Sequence, residues 1–140
     1  MSPEQVFSIA NTVALLSWIT LIVLPGRPWV TKLITKMVVP SIFALLYTAI
    51  LVSQFGRAPG GFSTLAGVAL LFSNPWLLLA GWVHYLAFDL LIGSWELEDA
   101  REQCIPHLIV VPCLLLTFMF GPAGWALYCI VRSIRRWCPT

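Results

Sequence analysis

The sequence is short of charge. Of 140 residues only 8 are lysine or arginine and 6 are aspartate or glutamate, 10% in all. Soluble domains carry nearer a quarter. So few charges cannot clothe a water-facing surface around a chain that is 59% hydrophobic. The excess of +2 is too small and too dispersed for nucleic-acid binding. A C-x-x-C pair is also missing. The four cysteines, Cys104, Cys113, Cys129 and Cys138, are spaced against a zinc site or a disulfide framework. Cys113 and Cys129 sit inside an apolar run, where cysteine serves as a small hydrophobe. The opening "MSPEQVFSIANTVALLSWITLIVLPG" lacks the basic n-region and small-residue cleavage site of a signal peptide, and the arginine and serine of a transit peptide. Its helix is therefore expected to be retained. No internal repeat or low-complexity stretch is present.

Long apolar runs are what the sequence has, with a mean hydropathy of +0.89. The solvent such a chain expects is lipid, and its length fits one domain, 1–140. Residues 6–24 form a first run long enough to span a bilayer. Its polar members Asn11, Thr12, Ser17 and Thr20 read as packing or hydrogen-bonding groups between helices, and Pro25, Gly26 and Pro28 end it. A second run covers 33–53, with Pro40 as a kink point and Lys32 and Lys36 placed to reach the interface. Residues 62–75 have an apolar core of about ten residues, too short to cross. They predict an interfacial or re-entrant helix, capped by Ser63 and ended by Asn74-Pro75. A third run covers 76–95 and a fourth 106–131, the latter interrupted by Gly121 and Pro122. The fold expected is all-α: a polytopic membrane helix bundle of about four transmembrane helices plus the short helix. Trp18, Trp29, Trp76, Trp95 and Trp137 read as an interfacial belt.

Sidedness is a puzzle at this stage. Arg27, Lys32 and Lys36 follow the first run; Arg132, Arg135 and Arg136 follow the fourth. Four spans place these two basic groups on opposite sides, against the positive-inside rule. Either the fourth run turns back at Gly121-Pro122, or residues 62–75 span, or the rule fails.

Inside the third run, "GWVHYLAFDLLIGSWE" carries His84 and Asp89. Aspartate near a bilayer centre costs about 2.5–3.5 kcal/mol to insert. An ionisable group at that depth is by default a candidate functional site. At about 100° per residue, the two lie about 140° apart around the helix and about 7.5 Å apart along it. Tyr85, Asp89, Glu96 and Asp99 share one stripe; His84, Leu91 and Glu98 share another. His84 and Asp89 read as acid–base or substrate-binding groups, or as a buried pair that fixes packing. No metal is called for; were one held, His107, Asp99 and Glu96 are the ligands on offer. Glu98, Arg101 and Glu102 read as a hydrated turn. Trp82 suits stacking on a flat conjugated ligand, although packing is the commoner use of such a residue.

The cores "GWVHYLAFDLLIGSW" and "PHLIVVPCLLLTFMFGPAG" resemble the abscisic-acid-deficient-four-like family, which includes the neoxanthin synthases of chloroplasts. The likeness extends over roughly residues 5–133. It implies a small integral membrane protein acting on a carotenoid or other lipid-soluble substrate. The implied reaction opens the epoxide of violaxanthin and removes a proton, giving an allene and a tertiary alcohol. That chemistry is redox-neutral and needs no cofactor, only an acid and a base. The residues answer that demand with His84 and Asp89 as candidate acid and base, Tyr85 to orient the oxygen, and Trp82, Trp95 and Phe88 as candidate substrate-binding groups. The membrane implied is a bacterial inner, thylakoid or plastid membrane. Alternatives are a non-enzymatic pigment-binding or accessory protein, a metal-dependent membrane enzyme, or a small transporter. A homo-oligomer is compatible with so small a bundle.

Overall fold

The computed structural model of the chain describes residues 1–25, 27, 29–54 and 56–134. Expectations resting on Gly26, Pro28, Arg135, Arg136, Trp137 and Cys138 lie outside the described residues. The described residues form six α-helices and one π-helical stretch, with no strand among them.

Helix α1, Pro3–Val23, starts on a reciprocal cap. The Gln5 amide N–H donates to Ser2 Oγ at 3.3 Å, and the Ser2 N–H donates to Gln5 Oε1 at 2.9 Å. The second run begins as a π-helical stretch, Val30–Val38, and continues as α2, Val39–Gln54. Its widened turns end against Pro40, which has no N–H to give to a regular ladder. The Val39 N–H reaches back five residues to the Ile34 carbonyl. Helix α3, Leu65–Leu71, is the short helix expected, and none of its residues is buried. Thr64 caps it rather than Ser63, accepting from the Gly67 N–H at 3.0 Å.

Helix α4, Pro75–Glu102, is the axis of the bundle. Asn74 Oδ1 caps it, accepting from the Trp76 and Leu77 N–H groups at 2.9 and 3.4 Å. Its 28 residues run about 42 Å, so Glu98, Arg101 and Glu102 belong to its last turns and not to a hydrated loop. Lys36 pairs with Glu98. Arg101 donates to the Pro25 carbonyl and the Thr31 hydroxyl. Among the described residues, three helices are long and apolar enough to cross a membrane: Pro3–Val23, Thr31–Gln54 and Pro75–Glu102. The fourth run divides into α5, His107–Phe120, and α6, Pro122–Ile134. Cys113 and Cys129 are free, whereas Cys104 is disulfide-bonded, a bond that the cysteine spacing did not foretell.

Contacts between helices fix their directions. His107 Nε2 donates to the Ile22 carbonyl, and Arg101 reaches Pro25. The end of α1, the end of α4 and the start of α5 therefore lie together. At the opposite end, Asn74 Nδ2 donates to Gln54 Oε1 at 3.2 Å. Going along α5, Thr117 meets Glu96, and then Gly121 meets Asp89. Going along α6, Gly124 packs back on Thr117, and Tyr128 and Arg132 reach Asp99. The chain thus turns back at Gly121-Pro122, making α5 and α6 a hairpin that enters and leaves on one side. This resolves the charge puzzle. Arg27, Lys32, Lys36, Arg101 and Arg132 share one end of the bundle, and Arg57 sits at the other.

We expect an impermeant maleimide to label cysteines introduced at Arg27 and Ser133 from the same side of sealed vesicles, and one at Arg57 from the opposite side. Labelling of Arg27 and Ser133 positions from different faces would mean four spans.

Candidate functional site

The site begins with what α4 presents on each face. One face carries Val83, Leu90 and Leu97, all fully buried in the apolar core. Trp18 packs there too, only 1% exposed, against Gly93 and Phe118. It is a core residue, not part of an interfacial belt. The next face carries the polar stripe. Asp89 is 8% exposed, Glu96 0% and Asp99 8%. Each acid meets a different part of the hairpin.

Asp99 is fully answered. Arg132 donates to it from Nε at 2.7 Å and from Nη2 at 3.1 Å, and the Tyr128 hydroxyl donates at 2.6 Å. Glu96 meets no cation among the described residues; the Thr117 hydroxyl lies 2.9 and 3.1 Å from its two oxygens. Asp89 is answered least. Its Oδ2 is buried without a hydrogen-bond partner among the described residues. Tyr85, one turn back, is its polar neighbour, and the backbone of Gly121 closes over it. A Cβ at Gly121 would stand 2.8 Å from Asp89 Oδ1, and the Gly121 φ of +46° is one that side chains disfavour.

His84 is elsewhere. It lies exposed on the face turned towards α2, stacked on Phe88 with ring centroids 4.6 Å apart and near Tyr47 at 5.4 Å. The structure brings Tyr85 and Asp89 together and leaves His84 apart from both, as the 140° offset requires. Phe88 is also on the outer surface. Trp95 sits half-exposed with its ring edge-on to Tyr128. The three metal candidates are likewise separated: His107 on Ile22, Asp99 on Arg132, Glu96 on Thr117. No group of three or more potential ligands converges among the described residues.

Two hollows flank Tyr85. The larger, about 610 Å³, lies between α1, α3 and α4, with Phe7, Phe72, Leu78 and Gly81 in its walls. The smaller, about 330 Å³, lies between α1, α4 and α5, walled by Asn11, Leu15, Phe118 and Met119. Trp82 and Tyr85 belong to both. Trp82, 40% exposed, bonds through its indole N–H to Asn11 Oδ1 at 2.7 Å. It also packs on Phe7 and Tyr85. The lining of the larger hollow is mostly apolar, with Glu4 of the first turn of α1 as its charged member.

Sequence reasoning missed Thr117, Tyr128 and Arg132 as partners of the acidic stripe. The signal available was the Gly-Pro break inside an apolar run, with an arginine one helix length beyond it. Asn11 makes the interhelical hydrogen bond expected of it, from α1 to Trp82 of α4.

The fold defines a polytopic helical membrane protein in which Tyr85, the polar neighbour of the buried Asp89, walls two hollows. The chain belongs to the ABA4-like family: the family described as ABA DEFICIENT 4-like matches it over residues 5–128. At family level it is a neoxanthin-synthase-like protein. No curated protein and no solved structure matches the chain.

Gly121→Ala should destabilise the protein by about 1–3 kcal/mol, from the disfavoured φ alone, and push Asp89 from its place. Gly61→Ala, where a Cβ meets nothing, should change stability by less than about 0.5 kcal/mol. Thermal unfolding in detergent checks the pair; equal effects would remove the special role of Gly121.

Proposed function

We propose that the protein isomerises an epoxidised carotenoid of the violaxanthin type to an allenic alcohol of the neoxanthin type. The observation that supports this best is the position of Tyr85. It walls both hollows and is the polar neighbour of Asp89, whose Oδ2 has no hydrogen-bond partner among the described residues. An elongated polyene lies in the groove, with its epoxide at the Tyr85 end. Trp82, which belongs to both hollows, stacks on the conjugated chain.

The chemistry asks for one proton delivered to the epoxide oxygen and one removed from carbon. The C–O bond breaks, the C–H electron pair completes the allene, and nothing is oxidised or reduced overall. Asp89 and Tyr85 divide the acid and base roles. The backbone of Gly121 holds the Asp89 carboxyl in place, and the surrounding apolar side chains keep water away from the opened ring. His84, on the far face, takes no part at this groove. The work is done in the membrane that stores the pigment, a thylakoid, plastid or bacterial inner membrane.

Asp89→Asn and Tyr85→Phe should each lower product formation at least about 100-fold in a host that makes violaxanthin, the scale of a lost acid–base group. His84→Ala should keep product formation within a few-fold. Pigment content by chromatography is the measurement. Full product from Asp89→Asn would refute the assignment; pigment bound by the wild-type protein with no conversion would make it a carrier instead.

A further inference from the structure

Asn11 stands in an unusual place. It is the ninth residue of α1, about 12 Å along a 21-residue span, and so lies well inside the apolar layer. Its side-chain orientation is set by chemistry. The Trp82 indole nitrogen is a donor only, so the atom of Asn11 facing it at 2.7 Å must be the amide oxygen. The amide NH₂ therefore faces away from Trp82, and it has no hydrogen-bond partner among the described residues. It is not sealed in, since the buried unpartnered polar atoms of the described residues are Asp89 Oδ2, Glu98 Oε1 and His107 Nδ1. Asn11 walls the smaller hollow, whose other named walls are apolar apart from Trp82 and Tyr85.

An open amide NH₂ bordered by hydrocarbon is costly unless an acceptor meets it. Lipid tails offer none. We propose that Asn11 is the specificity residue of the groove: its NH₂ donates to an oxygen of the bound lipophile, so that an oxygenated polyene is selected over a hydrocarbon one. The Asn11–Trp82 bond presents the donor in fixed orientation while Trp82 stacks on the polyene. The same arrangement gives the ligand a direction. Oxygen held at Asn11 sets which end of the molecule lies beside Tyr85. This inference rests on the reading of the groove as a polyene site and adds the group that discriminates among polyenes.

Binding tests it without turnover. A polyene diol and the hydrocarbon polyene of equal length are titrated into the detergent-solubilised protein, with quenching of tryptophan fluorescence as the readout. The wild type should favour the diol about five-fold, the worth of one neutral hydrogen bond. Asn11→Leu, an apolar change suited to α1, should bind both equally. Trp82→Phe should bind both more weakly and still favour the diol, because the amide donor remains. A diol preference that survives in Asn11→Leu would overturn the proposal. So would equal binding of both polyenes by the wild type, which leaves the groove reading standing. If neither polyene binds the wild type, the groove reading falls together with the proposal.

Discussion

Lipid offers no hydrogen bonds, so each polar group sunk into it must find its partner within the protein or on a ligand. Helix α4 carries three buried acids and a buried serine, and the rest of the bundle is arranged to answer them. Ser94 bonds to Thr35 of the π-helical stretch at 2.9 Å. Glu96 meets Thr117 of α5, and Asp99 meets Tyr128 and Arg132 of α6. A hairpin that stops at mid-depth is what lets two short helices serve acids at different levels of a single long one. A fourth full span would carry Arg132 to the far side and leave Asp99 facing apolar walls.

Asp89 marks where that answering stops. Gly121 forms the tip of the hairpin and brings backbone, not a donor side chain, against the carboxyl. Glu96 and Asp99 thus take the polar side chains of the hairpin, while Asp89 lies one turn from Tyr85, which walls both hollows. The groove itself exists because α3 is too short to span and none of its residues is buried. It covers the α1–α4 seam at one end without filling it, resting Phe72 on Gly81. The result is a pair of hollows beside Trp82 and Tyr85, the larger walled by Phe7 and Phe72 and the smaller by Asn11 and Phe118.

Much of this was legible in the residues. Length and hydropathy marked α1, the Thr31–Gln54 helix and α4, because a span needs a stretch of apolar sequence and little else. The spacings of four and seven placed Tyr85, Asp89 and Glu96 on one face, and the offset of five separated His84 from Asp89. The partners of the stripe were not legible. Thr117, Tyr128 and Arg132 follow Glu96 by 21 to 36 positions, and nothing local says whether the chain beyond Gly121 continues or returns. Trp18 misled for a similar reason. Its place near a helix end suggests an interface, but Gly93 on a distant helix opens the gap that buries its ring.

The sequence by itself determined the solvent, the helices and the phase of every polar group around its own helix, since these depend on composition and on the fixed 3.6-residue turn. Only the tertiary structure decided that the last apolar run doubles back, that the basic residues gather at one end, and that Tyr85 and Asn11 share a hollow. Those outcomes depend on which helices touch. Among helices in lipid, that choice is made by close-fitting small residues and a few hydrogen bonds rather than by hydrophobicity, which all the surfaces share.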